Sequence, residues 1–282
     1  MRKSCMYKTK AKRLLFMSFL MVSLFVISSC ETDDTQTVAT FTNLVMSDEF
    51  DTNGVPNPSI WNYNIGTGQN GWGNNELQYY TDRSENVTVQ NGVLILTARK
   101  EDFEGSAYTS ARLLTKGKFE QTYGRFEARI RLPWGQGLWP AFWLLGDDNN
   151  GADVWPQIGE IDIMEYLGNE PSKVFGTVHG PGYSGGQSIS KSFELENDRF
   201  DTGFHVFGIE WGPDYINFYV DDKLYNQITP NDVPGEWVFN RGPFYIILNV
   251  AVGGDLPGAP NAETVFPQTM LVDYVRVYQS NN

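Results

Sequence analysis

The chain has 282 residues, with 34 Asp and Glu against 21 Lys and Arg and a formal net charge of −13. Six basic residues fall within the first 29 positions, which hold no acid, so the remainder sets 15 basic against 34 acidic residues, a net −19. Such a surface repels polyanions over a Debye length, which excludes nucleic acid as a partner and weighs against sulfated polymers.

In chain order, Arg2, Lys3, Lys8, Lys10, Lys12 and Arg13 form a basic start, and residues 14–27 are apolar apart from Ser. The run closes on Ser28-Ser29-Cys30, the layout of an export signal. It is shorter than the roughly 20 residues a spanning helix needs, so a transmembrane helix is the weaker reading. A Cys after Ile-Ser-Ser resembles the lipobox of bacterial lipoproteins, in which that Cys becomes the lipidated N-terminus. The acids Glu31, Asp33 and Asp34 behind it resemble a signal for export to the cell surface. The expectation is a signal peptide over 1–29, lipidation and membrane anchoring at Cys30, and a polar tether over 30–42. This would be an exported lipoprotein of the outer membrane or cell surface. Cys5 lies in the removed segment, leaving no disulfide in the mature chain, so stability must come from core packing.

Residues 43–282 suit one domain of the large β type. Helical periodicity is almost absent. Strand-like runs recur instead at 87–89, 93–98, 124–132, 141–145, 160–166, 173–179, 204–211, 215–220, 244–250 and 271–278, punctuated by Gly, Asn, Asp and Pro. Many strands without helices imply an all-β sandwich or jelly roll of two antiparallel sheets. In Arg125-Phe126-Glu127-Ala128-Arg129-Ile130-Arg131-Leu132 the apolar side chains fall on even positions, so one face packs inward and the other meets water. On a concave outer face such water-facing side chains become the floor of a cleft.

Glu160-Ile161-Asp162-Ile163-Met164-Glu165 is the most informative segment. Glu160 and Asp162 share one face of a strand, while Ile161 and Ile163 point into the core. Glu165 has the wrong parity and would be buried, unpaired, at a cost. One extra residue near Ile163-Met164, a β-bulge, would return it to the acidic face. Glu160 and Glu165 are then about four strand steps, or roughly 13 Å, apart between Cα atoms. Side chains that each cover about 4 Å leave a gap near the ~5–5.5 Å of a retaining glycosidase. Mutual repulsion raises the pKa of one acid, setting a proton donor beside an ionised partner. The alternative for the string taken alone is a solvated acidic face.

That segment resembles the catalytic signature of glycoside hydrolase family 16 in the form that carries the bulge. The resemblance extends through Trp72-Gly73-Asn74-Asn75-Glu76-Leu77-Gln78-Tyr79-Tyr80, Gly137-Leu138-Trp139-Pro140-Ala141-Phe142-Trp143, Thr177-Val178-His179-Gly180, Leu248-Asn249-Val250-Ala251-Val252-Gly253-Gly254 and Val272-Asp273-Tyr274-Val275-Arg276-Val277-Tyr278. These blocks look most like the bacterial endo-β-1,3-glucanases, or laminarinases. The resemblance implies a concanavalin-like β-jelly roll with a substrate cleft on the concave face and a β-glucan polysaccharide as partner. Catalysis would need no cofactor. By position Glu160 is the nucleophile, Glu165 the general acid and then base, and Asp162 the group that orients the nucleophile. Trp139 and Trp143 would stack on sugar rings, the alternative being core packing. Asn74, Glu76 and Arg125 would bind sugar hydroxyls, and His179 would stand near the leaving-group side. Trp155 is a weaker candidate for the cleft border, and His205, in an apolar strand, reads as structural. Many family members hold a structural Ca²⁺ away from the chemistry; the matching positions are Glu49, the Gly92 carbonyl and Asp273.

Other readings stay open at this level. A lectin-like module would grip glucan without cutting it. The same acids would serve mixed-linkage β-1,3-1,4-glucan, an agar-type galactan, or transfer to another sugar. The catalytic domain is expected to act as a monomer.

Overall fold

The structure, a computed structural model, describes residues 40–148, 151 and 153–281; Cys30 and the signal segment lie outside them. The first strands in chain order are β1 (Phe41–Asp48), β2 (Asn62–Tyr63), β3 (Gln78–Tyr80), β4 (Val87–Gln90), β5 (Val93–Phe103) and β6 (Ser106–Ser110). Next come β7 (Arg112–Leu114), β8 (Gly124–Arg131), β9 (Leu138–Gly146), β10 (Glu160–Tyr166), β11 (Lys173–His179) and β12 (Ile189–Glu194). The last are β13 (His205–Gly212), β14 (Tyr215–Val220), β15 (Lys223–Ile228), β16 (Phe244–Val252) and β17 (Gln268–Ser280). Strand β1 begins inside the stretch expected to be tether.

These strands build two sheets. The larger runs β15-β14-β13-β8-β17-β5-β6-β3, with β1 also on β17 and β4 on β5. The smaller runs β12-β11-β10-β9-β16-β7-β2. The ladders are antiparallel except for β3 on β6. All ten strand-like runs of the sequence are strands here.

Period-2 alternation fixes which side chains meet between the sheets. From β8, β13 and β14 come Phe126, Ile209, Trp211 and Phe218; from β9, β10 and β11 come Phe142, Leu144, Ile161 and Val178, all fully buried. Trp211 meets Phe244 edge-on at 5.0 Å, a geometry that aligns the ring quadrupoles. Each such side chain contributes about 1.5–3 kcal/mol by leaving water. Strand β16 is buried along its whole length, and its outward Tyr245 and Ile247 pack with Leu114, Trp143 and Leu145. That double burial is why it reads as an unbroken apolar run, Phe244-Tyr245-Ile246-Ile247-Leu248, rather than as an alternation.

The expected calcium set needs correction. Strands β5 and β1 share one flank of β17, and the register brings Glu49, Gly92 and Asp273 to the junction between them. Both carboxylates there are already neutralised. Arg276 grips Glu49 with two hydrogen bonds, of 2.9 and 2.7 Å, and Arg129 pairs with Asp273 at 2.6 Å. A hard cation wants several free oxygens, so this set as arranged does not fit one.

Candidate active site

The centre of the molecule's chemistry is the outer face of the smaller sheet. A cleft of about 370 Å³ crosses it, floored by β9, β10 and β16 and walled by the loop that carries Trp72. On β9, Trp139, Ala141, Trp143 and Leu145 all line it, while Leu138, Phe142 and Leu144 fill the core. The two indoles are therefore floor residues, as strand parity requires.

Strand β10 carries the acids, and it does bulge. Asp162 pairs with Thr177 but Glu165 pairs with Phe175, three steps on β10 against two on β11. Against β9, Asp162 faces Trp143 and Met164 faces Phe142. The extra residue lies at Ile163, so Ile163 and Met164 both turn into the core and Glu165 returns to the cleft. The approach to β10 is equally constrained. Gly159 has φ +77°, and a Cβ there would meet the Phe244 ring at 2.9 Å and Val238 at 3.0 Å. Only glycine combines that backbone with that contact.

Hydrogen bonds then aim each carboxylate. The Trp139 Nε1–H donates to Glu165 Oε1 and the Thr177 hydroxyl to Oε2, both at 3.2 Å. Thr177 is itself 2.9 Å from Ser190 Oγ. Across the ladder from Glu160 stands His179, whose Nε2 is 3.1 Å from Asp162 Oδ2 and 3.8 Å from Glu160 Oε1. The Gly185 N–H donates to His179 Nδ1 at 3.1 Å, and the Trp155 ring lies 5.9 Å from the imidazole, so Trp155 does border the cleft.

Three buried carboxyls cannot all ionise cheaply. Burial first, and then the charge of Asp162, pushes Glu160 up to about 8, with His179 pulling the other way. Asp162 is raised well above the usual range by burial and by Glu165. Burial raises Glu165 as well, opposed by His179 and by the donors Thr177 and Trp139. Asp162 also hydrogen-bonds Glu160. That bond favours ionised Asp162, so attack requires the shared proton to pass to Asp162 and the charge to Glu160. Thr177→Val removes a donor that favours ionised Glu165, so its pKa rises. The alkaline limb of kcat/KM should then move to higher pH while kcat falls, measurable in a pH–rate profile.

At the other end of the cleft Glu76 is the hub of a polar cluster. Gln78 Nε2 and the Tyr80 hydroxyl donate to its Oε2 at 2.7 and 3.1 Å, and Asn74 Nδ2 reaches Oε1 at 3.5 Å. Burial raises its pKa against those donors and the nearby Arg112. Trp143 Nε1–H donates to Asn249 Oδ1 at 2.8 Å, which holds that indole in place. Asn74, Glu76, Trp139, Trp143 and His179 thus lie together along one cleft.

Arg125 does not join them. It sits on β8 in the larger sheet, where Glu127 and Asp222 each lie 2.8 Å from its guanidinium and Glu210 lies 3.4 Å away. Alternation along β8 showed that Arg125 faces outward, but not from which sheet. The cation of the cleft is Arg112 on β7, which sequence reasoning missed. Its guanidinium lies 4.7 Å from the Trp72 ring and 4.8 Å from the Trp143 ring, sandwiched between them. Its only local signal is position: it follows Ala111 and precedes Leu113, both buried, so parity turns it outward. Arg112→Met should raise KM for glucan roughly tenfold or more with a smaller change in kcat, because the arginine organises binding rather than bond cleavage. Initial-rate kinetics would show it. His205, by contrast, pairs with Asp221 at 2.7 Å.

A two-sheet sandwich whose outer face aligns paired carboxylates with indole platforms defines a class, the polysaccharide-cleaving glycosidases. Comparison with known proteins narrows it. Residues 74–276 match the glycosyl hydrolases family 16. A β-glucanase of Rhodothermus marinus is 44% identical over 280 residues, covering 96% of each chain. The catalytic domain of an endo-1,3-β-glucanase (laminarinase) from Thermotoga petrophila superposes with a TM-score of 0.81 at 49% identity, over 87% of this chain and all of that one. LamA from Z. galactanivorans, solved in complex with laminaritriose and laminaritetraose, is 35% identical with a TM-score of 0.73, over 85% of this chain and all of that one. The chain belongs to glycosyl hydrolase family 16.

Proposed function

We infer that the protein is a retaining endo-β-1,3-glucanase of the laminarinase type. The observation that carries this reading is the bulge at Ile163, which sets Glu160 and Glu165 in one cleft with Trp139 hydrogen-bonded to the second acid. Glucan lies across Trp139 and Trp143, whose faces suit the apolar faces of glucose rings. Glu160 attacks the anomeric carbon while Glu165 gives its proton to the departing glycosidic oxygen. A glycosyl–enzyme ester forms, splitting one hard displacement into two easier ones. Glu165, now ionised, takes a proton from water as that water attacks the same carbon, and the configuration is retained. Asp162 shares a proton with Glu160 and orients it. His179 stands beside both acids, and Asn74, Glu76 and Arg112 hold the far end of the chain.

The deciding experiment compares laminarin, lichenan, agarose and carrageenan by reducing-sugar release, with product sizing and anomeric NMR. Internal cleavage of laminarin with β-anomeric product is expected. Cleavage confined to agarose, or an α-anomeric first product, would overturn the reading. Longer products built from laminari-oligosaccharides would assign the intermediate to transglycosylation instead.

The proposal includes export as a lipoprotein, supported by the basic start, the apolar run and the Ser-Ser-Cys30 junction. In a Gram-negative host the wild-type chain should take up radiolabelled palmitate into the membrane fraction. Cys30→Ala should take up none, and equal labelling of the two would refute the anchor.

A further inference from the structure

Three donor atoms in the cleft lie close together. One atom each from Glu160, Asp162 and His179 falls within 4.8 Å of the others. A tetrahedral cation with bonds of about 2.05 Å separates its ligand atoms by about 3.3 Å. The two measured edges, Nε2 to Asp162 Oδ2 at 3.1 Å and Nε2 to Glu160 Oε1 at 3.8 Å, bracket that value. A second observation points the same way. Asp162 is only 3% exposed, and its Oδ2 faces the cleft cluster with no aligned hydrogen-bond donor, the His179 Nε2 at 3.1 Å lying off the line of its N–H. A buried oxygen without an aligned donor is costly, and it is satisfied when a cation binds there.

We propose that the Glu160–Asp162–His179 triangle is a zinc-binding site, and that zinc seated there inhibits the enzyme. The donor chemistry selects the ion. Two carboxylates with one imidazole suit borderline divalent ions, whereas Ca²⁺ and Mg²⁺ ask for six or more oxygens. Three protein ligands leave the fourth position open toward the cleft. One rearrangement is required. With Gly185 donating to Nδ1, the neutral imidazole carries its proton on Nε2. On zinc binding that proton moves to Nδ1, the Gly185 N–H turns to solvent, and any proton shared by the two carboxyls leaves to water. Gly185 is exposed, so losing that bond costs little. Zinc on Glu160 occupies the atom that attacks the sugar, so inhibition is competitive with glucan. Binding stands without the proposed function; only the inhibition rests on it.

The test uses the purified protein, stripped with EDTA and titrated with ZnCl₂ by calorimetry and by imidazole NMR. The chain has two histidines, which makes the spectrum its own control. One zinc per chain should bind, the His179 signals should move and those of His205 should not. Laminari-oligosaccharide should weaken the binding, and His179→Gln should weaken it roughly tenfold or more without lowering the melting temperature. Absence of heat at millimolar zinc, equal shifts at both histidines, or unchanged affinity in His179→Gln would each overturn the proposal. An active glucanase that binds no zinc refutes this inference alone. A zinc-binding protein inert on every glucan refutes the function alone.

Discussion

Glu160→Gly should lower laminarin hydrolysis by at least about 10⁴-fold, because it removes the carboxylate that forms the covalent ester. The folded shape should survive, since Glu160 faces the cleft rather than the core and the bulge lies three residues further along. The vacated space admits a small anion. With an activated aryl laminaribioside, azide should restore turnover by attacking from the side Glu160 occupied. One displacement inverts, so the product should be the α-glycosyl azide, identified by its anomeric coupling. A β-azide would place the nucleophile elsewhere, and near-normal hydrolysis without azide would remove Glu160 from the chemistry.

Glu165→Ala should behave differently, and the difference separates the two acids. Natural glucan needs a proton on its leaving oxygen, so laminarin hydrolysis should fall about 10²–10⁴-fold. A nitrophenyl leaving group needs little help, so its release should show a fast burst followed by slow turnover. Azide should now accelerate the second step and give the β-azide, since two displacements retain. The pH profile carries the same information. The first step needs Glu165 protonated, and burial raises its pKa, so activity persists below that value and is lost as pH rises through it. Glu160 must be ionised, so activity is also lost as pH falls through its own pKa. Deleting Glu165 should abolish the alkaline limb and leave the acid limb. An unchanged bell would assign the proton to another group.

Much of this was legible in the sequence, for reasons that differ from residue to residue. The inward residues of β8 and β14 announced themselves by alternation, because each strand has one wet face and one dry face. The bulge was legible from a contradiction, a glutamate with core parity. The short strands β2, β3 and β7 were not, since two or three residues carry no period. Arg125 and Arg112 mark the limit most clearly. Both are outward arginines on strands, and only the pairing of β8 with β17 and of β7 with β16 decides which one reaches the cleft. Glu49 and Asp273 failed for another reason, because their arginine partners sit 227 and 144 residues away along the chain.

The bulge in β10 makes chemistry depend on arithmetic. Straightening the strand with Ile163 kept would leave every functional side chain present, yet Glu165 would rotate into the interior beside Ile161 and Ile163. What remained would still offer Trp139, Trp143 and Glu76 to a glucan chain. A reading frame of side chains, shifted by one, separates a blade from a handle. Lineages of this sandwich can therefore lose the surplus residue and the bulge together and keep the acids in line, but losing the bulge alone withdraws Glu165 from the sugar.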